Sequence, residues 1–548
     1  MSTVTGWRPR LAFVVMLTAW SIPGAQAQAA PATGIVIVTG QQATTPVPTL
    51  MEGAANGVGN QDVADQLFLR LAELGPKAQT AGDRDFVPAL ARSWTRRDST
   101  TLVFDLDSRA RWHDGAPVTA RDVVFTFKRA KNPDLAPRVS ELLRQIVSVA
   151  AEGDSRVVFR FARPYAEQLY DATYHVSPIP FHLLDSIPPD SVSRSSFATS
   201  PIGSGPYRWV RSVPGQFVEL AAVPDFFLGK PKIARVILRT AVEPSARLNL
   251  LLSGQADAMD IIPPPSVNQV AADTTLRLIA VPSSTMGFLL FNQRDPKNRA
   301  RPHSILADNR VRRAITLGLD RSQLVQAVFG SHGMVPYGPV SQLLWIRHRS
   351  PPAEGPNVDE ARRLLAATGW GDSDADGTLD RDGHPLRLVL SVPNTSGIRR
   401  QMALLIQEQL RRIGVQIEIL QLEFPIYLER RAAGDFDVDF SSVNQDPSPS
   451  GLTQSWACTG GNNVAGYCDR GVDSVMEQAV RGRGDPGERW IEVLRKIEED
   501  AAATFLYAPA FMYAVNRRFR GVTITPQSAW LTLRKWSVSP VPVAGRSR

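Results

Sequence analysis

The spacing of apolar residues predicts helices and strands in alternation along the second half of the chain. Apolar residues recur at helical spacing over residues 398–413, and Gly414 follows them as a helix stop. Directly afterwards, apolar and polar residues alternate over residues 415–421, which is typical of a strand. An earlier helix is predicted between Asn357, a suitable N-cap, and Gly369, which ends it. This half should therefore form a sheet flanked by helices.

The first half carries a similar but weaker pattern. Residues 35–38 and 157–161 are rich in branched and aromatic side chains and predict strands. Apolar residues at alternate positions over 102–106 predict a half-buried strand, and residues 119–130 place their apolar side chains on one side of a helix. Sheet and helix thus alternate along both halves of the chain.

The N-terminus has the composition of a secretory signal peptide. Arg8 and Arg10 precede an apolar run over residues 11–20, and small residues follow in the A-x-A pattern from Ala25 to Ala27. A membrane anchor is the alternative, but this run is well short of the ~20 residues that span a bilayer. We predict that residues 1–27 are a signal peptide, which is removed by cleavage near Ala27. No cysteine lies near this site, so we expect a soluble periplasmic protein without a lipid anchor.

Length and charge limit the possible architecture and partners. The remaining chain of about 520 residues is too long for a single hydrophobic core, so two or three lobes are expected. Cleavage removes two arginines and no acidic residue, and the formal charge falls from +8 to +6. Basic residues are spread along the chain, whereas a nucleic-acid-binding protein usually clusters them. We therefore expect no nucleic-acid partner.

The chain contains two cysteines, Cys458 and Cys468, ten positions apart. In an oxidising compartment such a pair is expected to form one disulfide that closes a short loop. A metal-binding pair is the alternative, although no histidine lies nearby to complete a site. We favour the disulfide.

Five blocks of sequence together resemble the peptide/nickel-type family of solute-binding proteins, which includes dipeptide- and oligopeptide-binding receptors. The first block joins the strand at 102–106 to a W-H-D-G-A-P turn that begins at Trp112, where the family usually has phenylalanine. The second is P-I-G-S-G-P-Y, which ends at Tyr207. The remaining blocks lie at 224–257, 291–321 and 358–370. Their order and spacing hold from about residue 85 to residue 515.

The resemblance implies an α/β chain with the two-lobed periplasmic-binding-protein fold of the large peptide-binding type, in which mixed sheets are flanked by helices. Lobe I would comprise residues 28–285, with an inserted subdomain at about 85–195, and lobe II residues 286–511. Residues 512–548 would return to lobe I. The implied function is that of the extracytoplasmic receptor of an ABC importer, which closes on a small peptide or peptide-like solute and passes it to a membrane-embedded permease. We expect a monomer.

The resemblance also places the ligand cleft. The chain should cross between the lobes at residues 284–288, and the stretch before Pro447 matches the one in which relatives bind the ligand's ammonium group through an aspartate. In this sequence the matching residue is Val443, which cannot neutralise a buried cation, so a ligand without a free amine is possible. The loop with the two cysteines should overhang the same cleft. The predicted ligand-binding residues are Thr285, Met286, Phe288, Val443, Asn444, Asp446 and Trp456.

No motif for catalysis or a cofactor is present. The sequence lacks H-E-x-x-H, G-x-S-x-G, a Walker loop and C-x-x-C, so we predict no catalytic residue and no cofactor. Residues 372–380 begin like a calcium-binding loop, but its twelfth position is Gly383 where a bidentate glutamate is required. We therefore predict no metal site, with calcium as the alternative. A secreted hydrolase and a periplasmic peptide sensor or chaperone remain the competing functions.

Overall fold

The computed structural model describes residues 33–50, 58–482, 485–526 and 528–539. The predicted signal peptide, residues 1–27, lies outside this part of the chain. Among the described residues, no helix combines the length and apolar character that crossing a bilayer requires.

The described residues form twenty-four strands. In chain order they are β1 Gly34–Thr39, β2 Ala72–Leu74, β3 Phe86–Pro88, β4 Ala91–Asp98, β5 Thr101–Leu106, β6 Ile146–Glu152, β7 Arg156–Phe161, β8 Tyr207–Val213, β9 Phe217–Ala222, β10 Arg235–Thr240, β11 Ala258–Met259, β12 Leu276–Pro282, β13 Thr285–Phe291, β14 Arg294–Asp295, β15 Asn298–Pro302, β16 Gly333–Met334, β17 Asp380–Arg381, β18 His384–Pro385, β19 Arg387–Pro393, β20 Gln416–Leu422, β21 Val438–Asn444, β22 Ala503–Asn516, β23 Phe519–Arg520 and β24 Ser537–Val538.

Sixteen α-helices accompany these strands in the same part of the chain. They are α1 Val58–Leu67, α2 Ala120–Ala130, α3 Pro137–Leu142, α4 Gln168–Thr173, α5 Phe181–Leu184, α6 Ser196–Thr199, α7 Pro244–Leu252, α8 Val267–Ala271, α9 Asn309–Leu317, α10 Arg321–Phe329, α11 Val358–Ala367, α12 Gly397–Arg411, α13 Phe424–Ala433, α14 Leu452–Trp456, α15 Arg470–Val480 and α16 Pro486–Glu499.

One twelve-stranded mixed sheet runs through the molecule. Its main path is β20-β19-β21-β13-β22-β11-β1-β10-β9-β8, and β12 and β16 also pair with β22. The long strand β22 pairs with β13 through its first residues and with β12 through its last. Because β12 leads directly into β13, the two crossings between the halves of the sheet lie side by side. There the Ser283 hydroxyl donates a hydrogen bond to the carbonyl oxygen of Pro509 at 2.6 Å.

Buried apolar side chains form clusters that separate the two ends of this sheet. Two clusters contain residues from 35–281 and 512–536, and we call this part of the structure the first lobe. Two others contain residues from 286–507, which we call the second lobe. Strand β13 shows how the second lobe is layered, because Met286, Phe288 and Leu290 join one cluster, and Leu289 and Phe291 join the other. The sheet is thus covered on both faces.

The first lobe carries a separate four-stranded sheet, in the order β4-β5-β7-β6. Helix α2 contacts β6 and β7, and Phe127 of this helix meets Phe159 of β7 edge to face at 4.9 Å. Strand β5 differs from the sequence prediction. The alternation predicts a half-buried strand, but Val103 on its polar side is 3% exposed, as is its cross-strand neighbour Val158 on β7.

The helix predictions are confirmed by their caps. The Asn357 side chain accepts a hydrogen bond from the Glu360 amide at 3.0 Å and begins α11. Helix α12 ends at Arg411, and Gly414 follows with a φ of +77°. A Cβ at Gly414 would also lie 2.5 Å from Leu379, so this glycine is required for both reasons.

The glycines of the P-I-G-S-G-P-Y segment allow a close backbone contact and are not explained by a tight turn. Neither Gly203 nor Gly205 has a positive φ. Instead, a Cβ at Gly203 would lie 1.8 Å from the carbonyl oxygen of Leu67, and one at Gly205 would lie 2.3 Å from that of Gln66. The segment therefore contains glycine because its backbone packs directly against the end of α1.

His113 of the first sequence block fixes this close contact. Its Nδ1 accepts a hydrogen bond from the Gly203 amide at 3.1 Å, and its Nε2 lies 3.1 Å from the carbonyl oxygen of Gly205. Since Nδ1 accepts, the proton belongs on Nε2 and the ring is neutral. Burial is the main cause that lowers the pKa of His113 to about 4. The W-H-D-G turn thus stabilises the scaffold of the first lobe.

Candidate functional site

A cavity of about 670 Å³ lies between the lobes. The first lobe contributes Arg138, Glu141 and Leu142 from α3, and the second lobe contributes residues from β13, from β21 and from the segment that follows β21. Strands β13 and β21 are adjacent and antiparallel, which brings Met286 opposite Val443. The wall on the side of the second lobe therefore comes from segments about 150 residues apart that the sheet brings together.

Six of the seven predicted ligand-binding residues line this cavity. They are Met286, Phe288, Val443, Asn444, Asp446 and Trp456. The seventh, Thr285, is not among the lining residues; its hydroxyl donates a hydrogen bond to Oδ1 of Asn444 at 2.8 Å. Thr285 thus lies beside the wall and orients one of its polar groups.

The wall formed by β13 and its neighbours is largely apolar. Met286 and Phe288 are almost completely buried, and Val443 packs against their cluster. The ring of Trp456 lies 5.9 Å from Phe288 and 5.5 Å from Phe505, centroid to centroid. Trp456 is consequently part of the second lobe's core and presents only a small part of its surface to the cavity. At Val443 the wall has no carboxylate for an ammonium group.

Charged groups that the sequence does not predict also reach the cavity. Arg431 of α13 lines the cavity, and its Nε lies 3.0 Å from Oδ2 of the buried Asp439. In the sequence, Arg430 and Arg431 have the pattern of an exposed helix end, where basic residues are common. Only the packing of α13 beside β21 reveals that Arg431 faces the site.

The loop that follows α14 closes one end of the cavity. Cys458 and Cys468 form a disulfide, as predicted, and this excludes the alternative of a metal-binding pair. The disulfide does not hold the loop alone. The Asn463 side chain donates to the carbonyl oxygens of Ala457 and Tyr467 and accepts from the Tyr467 amide. Asn462, Asn463, Val464 and Tyr467 of this loop line the cavity.

A buried carboxylate connects the two lobes beside the cavity. Glu167 of the first lobe is 6% exposed and accepts a hydrogen bond from the Ser448 hydroxyl of the second lobe at 2.7 Å. The hydroxyls of Ser450 and Thr80 donate to the same carboxylate. The Trp345 indole in turn donates to the Thr80 hydroxyl at 3.2 Å. Burial raises the pKa of Glu167 above its usual value, although the three hydroxyls oppose the rise.

The acidic loop noted in the sequence lies elsewhere, on the surface. Asp372, Asp374 and Asp376 bring carboxylate oxygens within 4.8 Å of one another, and all three are exposed. Asp372 accepts hydrogen bonds from the amides of Asp376 and Gly377. These bonds account for the acidic residues as turn formers.

The comparisons with known proteins agree with this geometry. The chain matches the sequence profile of "Bacterial extracellular solute-binding proteins, family 5 Middle" over residues 85–464. That match covers more than half of the chain. The protein is therefore a solute-binding protein with the two-lobed α/β fold described above. It belongs to family 5 of the bacterial extracellular solute-binding proteins, in agreement with the resemblance seen in its five sequence blocks.

Individual relatives cover most of the chain at low identity. The oligopeptide-binding protein AppA of Bacillus subtilis (strain 168) is 26% identical over 446 residues, which are 79% of this chain and 80% of AppA. The structure of Bacillus subtilis AppA in complex with a nonapeptide covers 94% of this chain and 100% of its own, with a TM-score of 0.74 and 23% identity. The structure of NikA from Brucella suis in complex with Fe(III)-EDTA covers 92% of this chain and 100% of the NikA chain, with a TM-score of 0.79 and 18% identity.

Proposed function

We propose that this protein is the substrate-binding component of an ABC importer, which captures a small peptide or peptide-like solute between its lobes and delivers it to a membrane-embedded permease. The observation that carries the proposal is the 670 Å³ cavity between the lobes, lined by apolar side chains and a few charged ones. Such a cavity has the size and character of a small-molecule site. The relatives named as oligopeptide-binding proteins support a peptide as the solute.

The division of the chain forms part of this proposal. Residues 1–27 would be a cleaved signal peptide, so that the mature protein acts in the periplasm as a free monomer. Lobe I would comprise residues 28–285 and 512–548, with the subdomain at 85–195 inserted, and lobe II residues 286–511. The separation of the hydrophobic clusters and the side-by-side crossings support these bounds.

The site itself is proposed to bind and release its ligand unchanged. Met286, Phe288, Val443 and Trp456 would contact apolar groups, and Asn444 and Asp446 polar ones, with Thr285 in support. No nucleophile with an adjacent base was predicted from the sequence, and a receptor needs none.

Native mass spectrometry of protein purified without refolding tests the function. We expect a bound species that leaves on denaturation, and a peptide library should raise the melting temperature without any peptide being cleaved. Heat-inactivated protein serves as the control for cleavage by contaminants. Peptides that are consumed would indicate the hydrolase, whereas failure to bind any library member would contradict the proposal.

A further inference from the structure

A second cavity between the lobes is lined by basic side chains. It has a volume of about 400 Å³ and lies at Pro282, where β12 leads into the crossing to β13. The first lobe contributes Lys77 and its neighbours, from the loop between β2 and β3, and Pro526 from the returning segment. The second lobe contributes residues 342–345 and 347–349. We call this space the basic cavity.

The basic cavity differs in charge from the main cavity of about 670 Å³. Among the described residues, its lining includes no carboxylate but four basic side chains, which are Lys77, Arg347, His348 and Arg349. The lining of the main cavity combines Arg431 with acidic side chains. The two linings have the apolar Leu344 in common. A ligand of the basic cavity would therefore meet positive charge and hydrogen-bond donors.

Three of the four basic side chains have no countercharge from the protein. Arg349 forms an ion pair with Asp485, which lies just before α16. In the part of the chain that the structure describes, no ion pair involves Lys77, Arg347 or His348. Lys77 and His348 are exposed, so that water can solvate them. Arg347 is partly buried and has less access to water.

Arg347 provides an independent indication of a missing partner. Its Nε is buried and has no hydrogen-bond partner among the described residues. Its terminal nitrogens donate to Sδ of Met334 at 3.8 Å and to Nε2 of His348 at 3.4 Å. Neither acceptor carries a negative charge, and a thioether sulfur is a weak acceptor. A buried donor without a partner is costly, and a ligand that supplies an acceptor removes that cost.

The pKa of Arg347 agrees with this lack of countercharge. Burial is the cause that lowers it. For Arg321, which is also buried, the negative charges of Glu498 and Glu354 oppose the effect of burial on the pKa. Arg347 also borders a smaller cavity of about 180 Å³, and the other described residues that line it are uncharged. That side of the guanidinium group therefore offers no carboxylate either.

The positive groups of the basic cavity come from both lobes, which touch beside it. Trp345 begins the short 3₁₀ helix Trp345–Arg349, and its indole donates a hydrogen bond to the Thr80 hydroxyl of the first lobe at 3.2 Å. Lys77 belongs to the first lobe and Arg347 to the second. Closure of the lobes therefore brings like charges into one cavity, which opposes closure unless an anion lies between them.

We infer that the basic cavity binds an oxyanion, with a phosphate or carboxylate group, that pairs with Lys77 and Arg347 and so favours closure of the lobes. Ammonium and guanidinium groups donate charge-assisted hydrogen bonds to such anions. The anion is a second ligand and not a part of the solute, since the two cavities share only an apolar lining residue among those described. Anion binding goes beyond the proposed function, whereas its coupling to the solute rests on that function.

Titration of the protein without peptide tests the site itself. The probes are inorganic phosphate, pyrophosphate and citrate, and chloride at the same ionic strength is the control for general screening. We expect at least one probe to bind saturably, with one anion per molecule, and to raise the melting temperature above that in chloride. If none of the three probes binds saturably to the wild-type protein, the inference is overturned.

Variants assign the anion to the basic cavity. Lys77→Gln and Arg347→Gln should each weaken anion binding by roughly tenfold, because each removes a charged donor. Lys297→Gln, which removes an exposed lysine between β14 and β15, is the matched control and should leave the affinity unchanged. Since Lys77 is exposed, its variant remains informative even if Arg347→Gln fails to fold. Equal affinities in Lys77→Gln and Lys297→Gln would place the anion elsewhere and contradict the inference.

Peptide titrations with and without the anion test the coupling. A peptide with an amidated carboxyl terminus should bind about threefold or more tightly when the anion is saturating, and the peptide should strengthen anion binding by the same factor. This enhancement should be lost in Lys77→Gln. If the anion instead competes with peptides that have a free carboxyl terminus, the cavity holds part of the solute and the inference of a second ligand is wrong.

The outcomes separate this inference from the proposed function. Peptide binding that no anion alters would overturn the coupling while the proposed function stands. Saturable anion binding by a protein that binds no peptide would contradict the proposed function and leave the anion site in place.

Discussion

At the scale of single residues, backbone contacts explain the family motifs better than ligand contacts do. Gly203, Gly205 and His113 belong to two of the five sequence blocks, and together they fasten the P-I-G-S-G-P-Y segment to the end of α1. Motifs of this kind identify the scaffold because their contacts lie within it. They contain no information about the solute.

Gly203→Ala should destabilise the first lobe strongly. The added Cβ would lie 1.8 Å from the carbonyl oxygen of Leu67, a backbone atom that cannot move aside without shifting α1. We expect a loss of about 3 kcal/mol or more in the free energy of unfolding, measured by urea denaturation. The matched control is Gly355→Ala, where a Cβ meets nothing within 4 Å. A change of equal size in the two variants would contradict the explanation.

His113 should make stability depend on pH. Its pKa is lowered to about 4 in the folded state, mainly by burial, from an ordinary value of 6.5. The neutral ring therefore contributes stability above pH 6.5, and this contribution is lost as the pH falls towards 4. Its size is on the order of 3 kcal/mol.

The comparison with His113→Ala measures this effect. The difference in unfolding free energy between wild type and variant should be largest above pH 6.5 and should shrink steadily down to pH 4. A difference that is independent of pH would show that His113 acts only through its packing.

At the scale of elements, the loop after α14 joins a core residue to a cavity wall. Trp456 lies in the core of the second lobe, just before the loop begins. The ring of Tyr467, near the other end of the loop, lies 6.3 Å from that of Trp456, centroid to centroid, and belongs to the same core. The disulfide and the Asn463 side chain hold the intervening residues. We therefore expect the disulfide to matter more for the shape of the cavity wall than for the core below the loop.

The double variant Cys458→Ser, Cys468→Ser should therefore weaken ligand binding more than it weakens the fold. Closing a short loop contributes roughly 2–3 kcal/mol, and part of the loss falls on the loop alone. We expect affinity, measured by titration, to fall by about tenfold or more, with a smaller change in the global unfolding transition. Asn463→Ala in the oxidised protein serves as a comparison for loss of the other restraint. Unchanged affinity in the double variant would contradict the role of this loop as a wall.

At the scale of the whole molecule, closure depends on contacts between two lobes, each of which has its own hydrophobic core. Glu167 and Ser448 are 281 positions apart in sequence and meet in the structure as described. The contact requires that Glu167 lose its water, which is why burial raises its pKa. We infer that with the lobes parted the carboxylate would be more hydrated, so that its pKa would lie closer to its ordinary value.

This difference predicts that closure takes up protons. Because the pKa of Glu167 is higher in the closed state, closure is favoured most below the ordinary value of 4.5 and becomes less favourable as the pH rises through the closed-state pKa. The negative charge of nearby Asp171 also raises the pKa of Glu167. Small-angle X-ray scattering should show a larger fraction of closed molecules at pH 5 than at pH 7. The comparison is made at a saturating and at a limiting concentration of ligand.

Glu167→Gln provides the control, because the amide keeps the size of the side chain and an acceptor oxygen but does not titrate. The difference between pH 5 and pH 7 should largely disappear in this variant. Ser448→Ala with Ser450→Ala should weaken closure at both pH values, since two donors to a charged acceptor are lost. A pH dependence that persists in Glu167→Gln would assign it to other groups.

The sequence by itself determined the elements, the family and the general position of the cleft. Helix caps, glycine stops and strand alternation depend on neighbours within a few residues, so Asn357, Gly414 and β20 could be predicted directly. The tertiary structure decided which further polar groups line the cavity and which of them meet across the lobes. Arg431 reaches the main cavity through the packing of α13 beside β21, and Glu167 and Ser448 meet only because the two lobes touch. A local pattern cannot encode such contacts, because each partner lies in a different lobe and its environment exists only after both cores have formed.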